Sequence, residues 1–134
     1  MQKIIEDTSS PVLLTALESN MITFWSAYGR ANGSALEATP NVVWFYTGIQ
    51  SPLFNGVLSA KLKPNGVKAT VDNIQGKIDE QGAPALWWIG PQSKPENLGS
   101  LLEQHGLQPA GEVPGMAIDL EAMDNKPVIT CAAY

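Results

Sequence analysis

The sequence predicts a mixed α/β (α+β) domain: a mixed, mostly antiparallel sheet with helices on both faces. Three observations predict it. Two β-rich runs, "NVVWFYTG" and "FNGVLSAKL", are joined by a link too short for a helix, so they pair as antiparallel neighbours. A helix-periodic stretch then separates the second run from another apolar run, "ALWWI", which is a strand–helix–strand passage. Helical patterns also stand before the first strand and after the last of these three, enough to cover both sides of a sheet.

Taken in order, "SSPVLLTALESN" opens a helix with Ser9 or Ser10 as N-cap and Pro11 in the first turn, where its missing N–H costs nothing. Val12, Leu13, Ala16 and Leu17 form its apolar stripe, and Asn20 offers a cap for a second helix carrying Met21, Phe24, Trp25 and Tyr28 on one face. "ANGS" ends the helical region, and Glu37 falls on an edge strand. Val42 to Thr47 is a strand by its β-branched and aromatic content, and Phe54 to Leu62 is the next, closed by "KPNG". Val67, Val71, Ile74 and Ile78 recur at helical spacing opposite Lys68, Asp72, Gln75 and Glu80, with Gly82 as the C′ residue. Interior Gly76 costs about 1 kcal/mol against alanine, which points to a close approach to the sheet. Ala85 to Ile89 is a strand. Ser93 and Glu96 then form a capping box for a helix from Pro95 to His105, and Gly106-Leu107 end it in a Schellman contact. "AGEV" and "MAIDL" are strand pieces bent at Pro114-Gly115, and "PVITCAAY" is a last strand or a linker.

At 134 residues the chain fits a single domain over 1–134, with residues 1–10 as an arm. A net charge of −5 with eight scattered basic residues argues against nucleic acid, which demands clustered Lys and Arg. One cysteine, Cys131, and one histidine, His105, exclude an internal disulfide and predict no metal site. No apolar run reaches membrane-spanning or signal-peptide length, so no membrane partner is expected and the expected location is cytoplasmic.

The element order, together with "LFNGVL", "ALWWIGPQSKPENLGSLLEQHGL" and "EVPGMAIDL", resembles the GNAT family of N-acetyltransferases over roughly Pro11 to Leu120. It is similar in particular to the N-terminal half of tandem-domain bacterial proteins of that family. The resemblance implies an acyl-CoA N-acyltransferase fold whose sheet splays between the "FNGVLSAKL" and "ALWWIG" strands, with the pantetheine arm of acetyl-CoA entering the gap. It implies a pyrophosphate loop at Asn65, Gly66, Val67 and Lys68, and a partner that is a second GNAT domain or a second copy of the chain. The family pattern Gln/Arg-x-x-Gly-x-Gly/Ala is reduced here to "LKPNGVKA": one glycine, no arginine, and Pro64 in place of an amide donor. Lys61, Lys63 and Lys68 bring charge without a shaped cradle.

Acyl transfer also asks for a base and for a group that protonates the thiolate. No tyrosine lies between Pro95 and His105, and the carboxylates in reach of the fold are Glu37 and Glu112. The expectation is therefore a GNAT-related domain with degenerate cofactor machinery, a non-catalytic or ligand-binding half of an N-acetyltransferase. The alternatives are an active acetyl-CoA-dependent enzyme for a small amine, or a small-molecule binding module. Substrate-facing candidates are Trp44, Tyr46, Asn55 and Trp88, aromatic walls plus one amide. Trp87 and Trp88 point to opposite faces, so at most one enters a given cleft. His105 and Arg30 read as helix C-terminal cations, and Cys131 as a small buried residue.

Overall fold

A computed structural model describes residues 5–118. The last strand or linker expected at 127–134, which includes Cys131, lies outside the described residues, as do Asp119 and Leu120 at the end of "MAIDL". The order is α1 (Ser10–Gly29), β1 (Ala35–Ala38), β2 (Val42–Tyr46), β3 (Asn55–Ala60), α2 (Val67–Gln81), β4 (Leu86–Trp87) and α3 (Leu98–Gln104). The strands form one mixed sheet in the order β1-β2-β3-β4. The first two pairings are antiparallel and β3 with β4 is parallel, as a crossover through α2 requires.

Side-chain alternation along β2 sets the layers. Trp44 joins Val57, Ala60, Val67, Val71, Ile74, Ile78, Leu98 and Leu102 in the core under α2 and α3. Phe45, 1% exposed, turns the other way and meets Trp25 of α1. Every residue of the α2 stripe read from the sequence is buried, and Gly82 closes that helix in the left-handed region. Gly106 is likewise left-handed, with the Leu107 N–H donating to the Leu102 carbonyl at 3.1 Å.

Several expectations are corrected. Residues 10–29 form one helix, so Asn20 caps nothing; nothing in that stretch breaks an i→i−4 ladder once Pro11 is past the first turn. Its sheet-facing side is Glu18, Ser26 and Gly29, while Phe24 (55%) and Tyr28 (38%) stay exposed, meeting each other edge-on, Phe24 also meeting Trp25 and Tyr28 meeting Phe54. Ser93 makes no capping box: its hydroxyl accepts from the Gly90 N–H at 2.9 Å, and α3 begins only after Asn97. Gly76 has open space where a Cβ would stand, so no close approach explains it. Residues 108–118 form no strand, because Pro109, Pro114 and two glycines interrupt any ladder there.

Candidate functional site

β3 is where the geometry concentrates. Its register against β2 slips between Val43 and Trp44: Val43 faces Ser59 and Trp44 faces Val57, leaving Leu58 as an extra residue. Such a bulge bends the strand that carries it. On the opposite edge, Gly56 and Val57 pair with Leu86 and Trp87, and the Trp88 N–H donates to the Val57 carbonyl at 2.9 Å. Pairing then lapses. It resumes where the Lys94 N–H donates to the Ala60 carbonyl and the Leu62 N–H to the Lys94 carbonyl, both at 2.9 Å. Between those points β3 advances from Val57 to Ala60 while the facing chain travels from Trp88 to Lys94. The two segments therefore part beside the bulge and are tied together again beyond it.

Residues 89–93 form the excursion, and its anchor is a residue that sequence reasoning missed. Glu18 of α1 is 8% exposed, and its Oε2 accepts the Gln92 N–H at 3.1 Å. A Cβ at Gly90 would overlap the Glu18 carboxyl, so the turn is shaped around that carboxylate. One signal was present: Glu18 stands four, seven and eleven residues before Ile22, Trp25 and Gly29, on the stripe that meets the sheet.

The substrate-facing candidates do not gather in one place. Trp44 is 8% exposed in the core, its indole Nε1 donating to Glu37 Oε2 at 2.9 Å. Tyr46 lies against the same core, and its hydroxyl donates to the Gln81 carbonyl at 3.3 Å at the end of α2. Trp87 packs on that core too, which sends the half-buried Trp88 to the α1 face. Trp44 and Tyr46 thus share one face and Trp88 the other. Asn55, 1% exposed, is fully engaged: Oδ1 accepts from Thr47 and Gly48, and Nδ2 donates to Ile49, Ser51 and Pro84. It ties the β2–β3 loop to the chain entering β4.

At the loop that the resemblance gives to pyrophosphate, Gly66 has φ −102° and ψ −7°, ordinary right-handed values that use none of glycine's freedom. Its N–H donates to the Lys63 carbonyl at 2.9 Å. Val67 is 2% exposed in the core, and Lys68 Nζ pairs with Asp72 at 2.6 Å along the helix. Asn65 is exposed. A polar cleft of about 480 Å³ opens beside this loop, between α2 and the β1–β2 turn; Glu37, Asn41, Lys61, Lys63, Thr70 and Asn73 are among its lining residues.

Of the two carboxylates considered as bases, Glu112 is exposed in the irregular segment. Glu37 is held below the usual glutamate range, first by the Trp44 indole N–H and then by Lys77 Nζ at 3.4 Å. That makes it a poorer proton acceptor. Among the described residues no cluster of His, Cys, Asp and Glu is arranged for a metal ion, and no helix is long and apolar enough to cross a membrane. Neither the protein-family models, nor the curated proteins, nor the solved structures compared with the chain match it.

Proposed function

We propose that the chain is a GNAT-related domain with a degenerate acetyl-CoA pyrophosphate loop. In this reading it is a non-catalytic or ligand-binding half of an N-acetyltransferase, working beside a second such domain or a second copy of itself. The observation that carries the reading is the parallel β3–β4 pair, crossed over by α2 and parted at residues 89–93 next to the Leu58 bulge. A parted parallel pair is a place where an extended pantetheine arm can add as a further strand. The loop supports the degenerate half of the reading. Pro64 has no N–H, the Gly66 N–H is spent on Lys63, and Lys68 is turned toward Asp72. What remains for a phosphate is a helix end without the convergent amides of an anion nest.

The chemistry favours binding over turnover. The α3 helix carries no tyrosine, and Glu37 is stabilised as a carboxylate rather than poised to take a proton. A small-molecule binding module is the second reading, supported by the polar cleft beside Lys63 and Gly66.

Thermal shift with millimolar CoA, acetyl-CoA and pantetheine tests this. With no useful phosphate grip, CoA and pantetheine give equal and small shifts, about 0.4 kcal/mol of stabilisation at a ligand concentration equal to Kd. Gly66→Ala leaves them unchanged. A micromolar CoA site, stabilising by about 4 kcal/mol at millimolar ligand and absent for pantetheine, would overturn the degenerate reading in favour of an active enzyme.

A further inference from the structure

The excursion between β3 and β4 is fastened from three directions. Lys94 closes it within the sheet, by the two backbone bonds to Ala60 and Leu62. Lys61 Nζ donates to Gln92 Oε1 at 3.2 Å across the gap. From the layer above, Glu18 accepts the Gln92 N–H, a contact between residues 74 apart in the chain. The turn itself is rigid: Gly90 and Ser93 bond reciprocally, Gly90 N–H to the Ser93 hydroxyl at 2.9 Å and Ser93 N–H to the Gly90 carbonyl at 3.0 Å.

We propose that residues 90–94 are a strap that holds the β3–β4 opening shut in the free chain, with Glu18 as its positioning residue. The proposal rests on the acyl-CoA reading above and says how that site is regulated. An arm that adds to β3 as a strand needs the Ala60 carbonyl and the Leu62 N–H, and Lys94 occupies both. Ligand therefore enters only when the strap lifts. Lifting it separates Lys94 from β3 and Gln92 from Glu18 together, because the turn moves as one piece. The hold on Glu18 is a hydrogen bond to a buried side-chain oxygen, supplied from a separate layer. The apparent affinity falls by the fraction of molecules with the strap lifted, Kd divided by that fraction.

The test compares the full-length chain with Glu18→Gln and Glu18→Ala, using pantetheine and CoA as probes and amide hydrogen exchange as a second readout. Glutamine keeps an acceptor for the Gln92 N–H, so Glu18→Gln behaves like the parent chain. Glu18→Ala removes it, and the Leu62, Gln92 and Lys94 amides exchange at least tenfold faster while both probes bind about tenfold more tightly. Ser93→Ala, which loosens the turn without touching α1, gives the same direction with a smaller change, and it serves if Glu18→Ala does not fold. Unchanged exchange at Leu62 and Lys94 in the folded variants would overturn the strap. So would faster exchange with equal probe binding in variant and parent, leaving the acyl-CoA reading intact. Faster exchange with binding in no form of the chain would remove that reading and the strap's role together.

Discussion

Gly56 and Leu86 face each other at the first rung of the β3–β4 pair, and the backbone of Leu86 occupies the space that a Cβ on Gly56 would need. Gly56 also has φ +135°, where side-chain-bearing residues are strained. Two independent penalties therefore fall on any substitution. Gly56→Ala is expected to cost about 3 kcal/mol or more, from backbone strain and overpacking combined. Chemical denaturation measures it, and a loss under about 1 kcal/mol would show that the two strands are not this close.

Asn55 makes the neighbouring prediction. Its amide serves two N–H donors and three carbonyls, all from the backbone. Asn55→Ala strands several buried groups and is expected to cost about 2–4 kcal/mol. Asn55→Asp keeps the shape but turns an acceptor toward the Ile49, Ser51 and Pro84 carbonyls. Burial and those carbonyls favour the protonated acid, so the introduced carboxyl titrates higher folded than unfolded. Its stability is then greatest below the unfolded value and is lost as pH rises through the folded one. Unfolding midpoints of the Asp variant compared with the parent at acid and neutral pH check the sign.

How much of this was legible in the sequence follows from which signals are local. The α2 stripe, the Gly82 and Gly106 stops and the β2–β3 pairing rest on periodicity and on backbone preference, and the chain folds as they say. The α1 face did not follow its most apolar side chains. Phe24 packs on Tyr28 and Tyr28 on Phe54 at the surface, while Glu18 and Ser26 go inside because the partner surface offers them bonds or little room. The Ser93-x-x-Glu96 spacing fits a capping box, yet Ser93 spends its hydroxyl on Gly90, three residues back. Asn55 reads as a ligand-facing amide until its loop closes over it. In each case the deciding partner is far along the chain or across a layer, where one-dimensional patterns carry no information.

Glu37 supplies a pH prediction. Trp44 lies directly opposite it on β2, the indole N–H holds its carboxylate, and Lys77 Nζ sits 5.3 Å from the Trp44 ring centre. These contacts lower the folded carboxyl below its unfolded value, the Trp44 bond first. Their stabilisation is present above the ordinary glutamate range and disappears as pH falls through the folded value. With the Glu37 side chain 46% exposed, solvent screening limits the effect to about 0.5 kcal/mol. Plotting Tm against pH should give a shallower acid limb for Glu37→Gln than for the parent. Parallel limbs would mean that the carboxylate contributes nothing.

Gly76 provides the opposite sign. It lies in the interior of α2, on the side away from the Val71–Ile74–Ile78 stripe, and nothing stands within 4 Å of the position its Cβ would take. Alanine there meets no atom, restricts the unfolded chain and improves helix propensity, so Gly76→Ala should stabilise by about 0.5–1 kcal/mol. For a chain of this size that is a Tm rise of roughly 2–5 °C. The substitution also discriminates between two reasons for a glycine on an exposed helix face. If the folded chain gains stability and its ligand response is unchanged, Gly76 is a neutral occupant of that position. If stability rises while self-association or pairing with a second domain is lost, the bare backbone at Gly76 is part of a contact surface, and that face of α2 is where a partner sits.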